Sequence, residues 1–173
     1  MTSKDDRTWR LPRRALEISL GEMARDGLQG NEGIAFWLGT CHGTVATVTH
    51  VVGVRGPGIA KEPSFLQIST GVFNAISDIA LDLGILLLGQ VHAHPGLFVD
   101  LSPTDRRFGI SFPDYLSMVA PHYARRPNTS IEDCGVHLFV AGIGYIRLSA
   151  AEVQRRVIVD GGPASLLLVE TNQ

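Results

Sequence analysis

Cysteine is scarce in this chain of 173 residues, which contains only Cys41 and Cys134 and no C-x-x-C pair. Two separate cysteines exclude the disulfide framework of a small secreted domain, and reduced thiols are typical of the interior of a cell. Neither thiol stands in an evident electropositive setting beside a base, so both are interpreted as packing residues rather than nucleophiles. We therefore expect a cytoplasmic protein.

Long apolar runs and clusters of one charge are absent as well. No apolar stretch reaches the roughly 18 residues that a membrane-spanning helix requires, and the opening residues lack the apolar region of a secretion signal. The 15 basic and 17 acidic residues give a net charge of −2, and the basic residues occur as scattered pairs such as Arg106-Arg107 and Arg125-Arg126. Scattered pairs favour solvated surface over a phosphate-binding face. We expect neither a membrane nor a nucleic acid as partner.

Hydrophobic residues make up 45% of the sequence, and the mean hydropathy is +0.14. A chain of this size and composition can bury the core of one compact domain. The charged residues 1–11 are predicted to form a flexible N-terminus, and residues 12–173 a single domain. Apolar periodicity and turn residues predict the elements. The helices are 12–26 and 71–83; the strands are 33–38, 44–54, 65–68, 85–94, 115–120, 134–140 and 145–149, with a weaker hairpin of 156–159 and 165–169; the loops include 55–63 and 121–132.

The segment from Gly89 to Arg107, which reads GQVHAHPGLFVDLSPTDRR, contains the residues most suited to chemistry. Alternate side chains of a strand share a face, so His92 and His94 can point at one spot before a proline ends the strand. Ser102 follows eight residues after His94, and Asp105 follows three residues after that. Two imidazoles and a carboxylate suit zinc and leave a fourth position for water, which is the arrangement of a catalytic site.

The same residues also have a structural interpretation. Ser-Pro-Thr-Asp is typical of a helix start, with Ser102 as the N-cap and Asp105 in the first turn, and paired histidines also occur as buried structural residues. A helix that begins there would direct Asp105 back toward the strand end that carries the histidines. The capping and metal-binding interpretations are therefore compatible.

The pattern H-x-H-P followed by Ser102 and Asp105 resembles the JAMM motif of the MPN-domain metalloproteases. Members of that family also supply a glutamate ahead of a glycine-containing apolar segment, which here matches Glu32 before Gly-Ile-Ala-Phe-Trp-Leu-Gly. The resemblance in element order spans roughly residues 13–148. One departure is Ala93, where relatives commonly have serine or threonine; because it is out of phase with both histidines, we expect metal binding to be kept.

The resemblance implies an α+β fold of the MPN, cytidine-deaminase-like type, an α/β sandwich in which a mixed β-sheet is flanked by helices. It also implies one Zn²⁺ per chain bound by His92, His94 and Asp105, with Glu32 as general base and Ser102 as oxyanion donor. The expected activity is that of a zinc-dependent isopeptidase, which cleaves the amide bond at the C-terminus of a ubiquitin-like protein, in a conjugate or in a precursor. Compact bacterial members of the family occur beside ubiquitin-like conjugation systems. Two alternatives stay open: processing of a sulfur-carrier protein, and a non-catalytic MPN scaffold that binds protein partners.

Three polar residues outside the ligand set are interpreted differently. His137 lies in an apolar strand and is predicted to be a satisfied sheet or core residue rather than a ligand. His122, beside the predicted loop at 121–132, is a candidate for contact with substrate. Asp100 is predicted to face solvent from the loop that precedes the Ser-Pro-Thr-Asp segment.

Overall fold

The computed structural model describes residues 7–171, in which a nine-stranded mixed β-sheet is covered by helices on both faces. An α+β fold built on a mixed sheet is therefore confirmed. The strands of the main sheet are β1 (Thr8–Pro12), β2 (Ile34–His42), β3 (Val45–Arg55), β6 (Leu86–Ala93), β7 (Leu116–Ala120), β8 (Gly135–Val140), β9 (Gly144–Arg147), β10 (Val157–Asp160) and β11 (Ser165–Glu170). Strands β4 (Ile59–Glu62) and β5 (Phe65–Ile68) form a separate hairpin, and the helices are α1 (Arg13–Gly27), α2 (Thr70–Leu83), α3 (Pro103–Phe108) and α4 (Ala150–Arg156).

Strand β6, which carries the predicted histidines, lies in the interior of the main sheet. The strand order is β10-β1-β3-β2-β6-β7-β8-β9, with β11 also paired to β3. Strand β6 is antiparallel to β2 on one side and parallel to β7 on the other. Both of its backbone edges are therefore hydrogen-bonded, which fixes the positions of its side chains.

Alternate residues of β2 point to opposite faces of the sheet. Trp37 is buried on the side of α1, and its indole N–H donates to Ser19 Oγ of that helix at 2.9 Å. Phe36 is buried on the opposite side, in the cluster that includes Ile76 of α2. The period of two in the strand and the apolar stripes of the two helices account for a sheet that is covered on both faces.

The α2 side of the sheet changes from apolar to polar toward β8. Paired residues of neighbouring strands share a face, and the register pairs Ile34 with His92, Gln90 with Ser117, and Ser117 with His137. His92, Ser117 and His137 are buried. Because buried polar groups require a hydrogen-bond partner or a ligand, this half of the face is where a functional site is expected.

The two main predicted helices are confirmed to within one residue at each end. Helix α1 begins at Arg13, directly after Pro12, and helix α2 ends at Leu83. Gly84 follows with φ +64°, a left-handed conformation that glycine adopts without strain and that explains why α2 ends there. Within residues 7–171, no helix combines the length and the apolar character that crossing a membrane would need.

The prediction of a flexible N-terminus is wrong over residues 8–11. This segment belongs to Thr8–Pro12, the strand β1, which pairs in parallel with β3 and β10. Trp9 and Leu11 flank a single arginine, and both are buried. The segment therefore has the alternation of apolar and polar residues that is typical of a strand, although its charged residues favoured an exposed tail. The remainder of the predicted segment, residues 1–6, lies outside the described residues.

Two further pairings differ from the prediction. Strands β10 and β11 do not form a hairpin, because β10 pairs in parallel with β1 and β11 pairs in parallel with β3. Strand β4 lies within the predicted loop at 55–63, and Glu62 O accepts a 2.9 Å hydrogen bond from Glu32 N–H. The β4–β5 hairpin is thereby attached at the start of β2, beside the predicted general base.

Candidate metal centre

The two histidines of the H-x-H pair lie together at the end of β6. Both imidazoles are buried, and their Nε2 atoms are 3.2 Å apart. The position of His94 is fixed by its backbone N–H, which donates to Ala120 O at 2.9 Å. Ala93, between the two histidines, is buried in the core on the α1 side of the sheet, so the departure from the JAMM pattern does not face the pair.

The third residue of the cluster is Asp105 in the first turn of α3. Its Oδ2 atom lies 3.5 Å from His92 Nε2 and 3.4 Å from His94 Nε2. A tetrahedral zinc ion with bonds of about 2.0–2.1 Å would hold its ligand atoms about 3.4 Å apart. The three donor atoms of this cluster therefore fit one zinc ion with a fourth coordination position open.

The same carboxylate also caps its own helix. Asp105 Oδ2 accepts the backbone N–H of Ser102 at 2.7 Å, and Asp105 N–H donates to Ser102 Oγ at 3.1 Å. This reciprocal capping box satisfies two backbone donors that a helix start would otherwise leave free. The capping interpretation of Ser-Pro-Thr-Asp is thus confirmed, and the same carboxylate oxygen lies within reach of both histidines, so capping does not prevent metal binding.

The hydrogen bond of His94 sets the orientation of its imidazole. His94 Nδ1 lies 2.9 Å from Phe98 O, so Nδ1 carries the proton and the lone pair of Nε2 faces the cluster. The ring of Phe98 stacks on that of His94, with 5.8 Å between centroids and an interplanar angle of 3°. Both contacts fix the orientation of the His94 ring, with Nε2 directed toward Asp105 and His92.

The charge balance of the cluster favours a bound cation. Burial raises the pKa of Asp105, but hydrogen bonds from His92, His94 and Ser102 outweigh it and hold that pKa well below its usual range. Burial lowers the pKa of His94, yet contacts with Asp105, Phe98 O and Glu32 leave it raised. A metal ion would replace the proton that these groups otherwise share, so metal affinity should rise with pH.

Glu32 lies opposite His94, just before β2. Ala93 N–H donates to Gly33 O at 3.1 Å and continues the register that pairs Ile34 with His92. The carboxyl group is buried, which raises its pKa from 4.5 to about 7; His94 partly offsets this shift and Asp105 adds to it. A carboxyl group with this pKa can accept and release a proton near neutral pH.

Ser102 completes the set of residues that the motif predicts. Its Oγ accepts a hydrogen bond from the backbone of α3 and keeps its own proton, which is available to a ligand. A cavity of about 220 Å³, called here the catalytic cavity, is lined by Glu32, His94, Ser102 and Asp105. The structure therefore brings Glu32, His92, His94, Ser102 and Asp105 to one place.

Sequence reasoning missed the role of Asp100. Instead of only facing solvent, its Oδ1 lies 2.6 Å from His137 Nε2, and its carboxylate also contacts Arg106 of α3 at 3.3 Å and Arg147 at 3.8 Å. The hydrogen bond with His137 holds the pKa of Asp100 below its usual range. His137 is fully buried, as predicted for a sheet residue, and is bonded through Nε2. Its Nδ1 atom is buried without a hydrogen-bond partner among residues 7–171, so the side chain is only half satisfied. The available signal was a histidine in an apolar strand, which requires a polar partner.

The loop between His94 and α3 is held at two further points. A Cβ atom at Gly135 would overlap the Val99 carbonyl, so only glycine allows β8 to approach the loop this closely. At the other side, His122 N–H donates to Gly96 O at 3.0 Å. His122, proposed for substrate contact, thus supports the loop through its backbone, whereas a role for its side chain stays a prediction.

Comparisons with known proteins give a relative by sequence and a relative by structure. No known family model matches the chain. The sequence is 27% identical over 126 residues to the "Probable metalloprotease y4jG" of Sinorhizobium fredii, an alignment that covers 72% of this chain and 77% of the relative. The solution structure of protein DSY2949 from Desulfitobacterium hafniense has the same fold, with a TM-score of 0.64, 16% sequence identity, and coverage of 95% of this chain and 94% of the other. The chain is thus similar in sequence to a probable metalloprotease, and its His92, His94 and Asp105 side chains form a group that could hold a metal ion.

Proposed function

We propose that the protein is a zinc metallopeptidase of the JAMM type, which hydrolyses an amide bond. One observation carries this proposal: the donor atoms of His92, His94 and Asp105 form a triangle with sides of 3.2, 3.4 and 3.5 Å, which fits one tetrahedral zinc ion. The similarity to a probable metalloprotease supports the same reaction class.

The proposed chemistry divides between the metal and two side chains, Glu32 and Ser102. Bound zinc would supply a Lewis acid and lower the pKa of a water molecule toward about 7. Glu32 accepts a proton from the attacking water and later delivers it to the leaving amine. Ser102 Oγ–H donates to the carbonyl oxygen as negative charge develops there, a contact typically worth about 3 kcal/mol.

A cysteine nucleophile is not part of this proposal. Burial raises the pKa of the Cys134 thiol to about 12, so its reactive thiolate form is scarce at neutral pH. Cys41 lies near the end of β2 that is remote from Glu32. A water nucleophile activated by metal and carboxylate needs neither thiol.

The proposed substrate is the C-terminal tail of a ubiquitin-like protein, joined to lysine or followed by a short precursor extension. The resemblance to the JAMM motif supports this finer assignment, and so does the shape of the cleft. Phe65 and Leu66 of β5 line both the catalytic cavity and a neighbouring cavity of about 480 Å³ between β5, α2 and α3, called here the side cavity. A short hairpin beside a metal centre suits an extended peptide that adds to it as a further strand.

The test combines metal analysis with cleavage assays. Purified protein is analysed for zinc and incubated with a panel of ubiquitin-like proteins, each as an isopeptide conjugate and as a linear C-terminal fusion, with and without chelator. We expect one zinc per chain and cleavage after the last residue of the ubiquitin-like protein, lost on chelation and restored by zinc. Bound zinc with hydrolysis of other peptides alone would contradict the ubiquitin-like substrate. A chain that binds no zinc and cleaves nothing would contradict the metallopeptidase and favour the scaffold.

A further inference from the structure

The side cavity differs in chemistry from the metal centre that it adjoins. Its volume of about 480 Å³ lies within the range of about 300–1,000 Å³ that is typical of ligand pockets. Four aromatic side chains line it: Phe65, Phe73, Phe108 and Tyr145. Apart from His92 and Asp105 at the metal centre, none of the described residues that line it is charged. The cavity therefore favours a neutral and largely apolar group.

The sheet at the back of this cavity is polar. Tyr115 OH donates to Gln90 Oε1 at 3.1 Å, which leaves the amide nitrogen of Gln90 as the hydrogen-bond donor that faces away from that contact. Ser117 Oγ is buried and has no hydrogen-bond partner within residues 7–171. A buried polar group without a partner is costly, and a ligand that supplies the partner removes that cost.

We infer that the side cavity is a specificity pocket for a neutral aromatic group with a hydrogen-bonding tip, such as a tyrosine side chain of the substrate close to the scissile bond. That the aromatic group belongs to a peptide substrate rests on the proposed function, whereas the binding of such a group in the side cavity does not. An aliphatic side chain would leave the amide nitrogen of Gln90 and the Oγ atom of Ser117 without a partner, which discriminates against it. A charged group would lose its hydration without gaining an opposite charge.

Three aromatic fragments of similar size test this chemistry. Para-cresol has the neutral polar tip, toluene lacks it, and para-toluate replaces it with a charge. Binding is followed by NMR on protein labelled at the isoleucine methyl groups, because Ile34, Ile68 and Ile110 line the side cavity. Ile18 and Ile131 belong to the core on the α1 side and serve as internal controls. We expect para-cresol to shift the three cavity signals with a Kd on the order of 1 mM, and toluene to bind about fivefold more weakly. Para-toluate should bind more weakly than either.

Two variants locate the polar tip. Gln90→Leu and Ser117→Ala should each weaken para-cresol about fivefold and leave toluene unchanged, which shows that the cavity itself is intact. Gln154→Leu, on the exposed surface of α4, and Ser77→Ala, on α2, are the matched controls and should change neither fragment. Equal binding of para-cresol and toluene, para-cresol affinity unaltered in both cavity variants, or no shift of the cavity signals would overturn the inference. Fragment binding needs neither zinc nor turnover, so an inactive protein that binds para-cresol contradicts only the proposed function.

Discussion

The metal centre is assembled from two unequal halves. The strand half, with Glu32, His92 and His94, is buried where β2 and β6 pair within the sheet, and backbone hydrogen bonds hold it. The helix half, with Ser102 and Asp105, belongs to a six-residue helix that contains no buried residue. A helix this short is not stable by itself. The sheet therefore fixes Glu32, His92 and His94, whereas the position of Asp105 depends on a few side-chain contacts.

Removing one ligand from either half should cause the largest effect. His94→Ala and Asp105→Ala each delete one of three donors. We expect zinc affinity to fall by more than about 100-fold, which exceeds the loss typical of residues that only hydrogen-bond to a metal ligand. Competition with a zinc chelator measures this change. Asp160→Ala, which removes a surface carboxylate paired with Arg10, is the control. Unchanged zinc affinity in either ligand variant would contradict a shared three-residue centre.

Glu32→Gln should separate catalysis from metal binding within the strand half. The amide keeps the size of the side chain but cannot accept a proton, so the rate should fall by about 10²- to 10⁴-fold while zinc remains bound. In the wild-type protein, kcat/KM should rise with pH through the pKa of Glu32, because only the carboxylate acts as a base. The variant should lose that rise. A variant that turns over at the wild-type rate would remove Glu32 from the mechanism.

Ser102→Ala tests whether Ser102 of the helix half acts in catalysis or only as a helix cap. The variant loses the proposed oxyanion donor, for which we expect a fall in kcat of about 100-fold, and it also loses an N-cap worth about 1 kcal/mol. Ser149→Ala is a matched control, because Ser149 forms the same kind of capping box at the start of α4. It should cost similar stability without changing kcat. Equal kcat in both variants would show that Ser102 acts only as a cap.

Asp100→Asn should reveal how α3 is held in place. Asp100 links Arg106 of α3 to the buried His137, and its loss should weaken zinc binding about tenfold, the lower range for a supporting residue. The residues of the strand half should be undisturbed, as judged by the NMR signals of His92 and His94 in the zinc-free protein. Asp133→Asn is the control, because it removes the carboxylate of a different capping box, which begins at Ser130. Zinc affinity equal to that of the wild-type protein would show that the capping box alone positions α3.

Local patterns predicted most of this centre, and long-range pairings account for what they missed. The shared face of His92 and His94 follows from the period of a strand, and the place of Asp105 follows from the chemistry of a helix start. Glu32 was identified only through the resemblance to the JAMM motif. It lies just before β2 and the histidines lie on the neighbouring strand β6, so no local sequence pattern relates them.

The missed features join residues that are distant in the chain. Asp100 and His137 are separated by 37 positions, so neither residue alone indicates the pair. The N-terminal strand was interpreted as flexible for the same reason, since β1 becomes a strand only through β3 and β10. Turn residues correctly marked a break between β10 and β11, but a break does not specify which strand each one joins.

The last expected effect concerns the stability of the zinc-free protein rather than zinc binding or turnover. Burial raises the pKa of Glu32 from 4.5 to about 7, so between these values the folded state binds more protons than the unfolded state. The free energy of unfolding should therefore decrease as pH rises from about 4.5 to 7 and stay reduced above pH 7. Glu32→Gln is neutral at every pH and should be more stable than the wild-type protein at pH 8, by on the order of 2 kcal/mol, but not at pH 4. Urea unfolding in the presence of chelator at both pH values measures the difference. A gap that does not depend on pH would show that Glu32 is not held in an environment that penalises its charge.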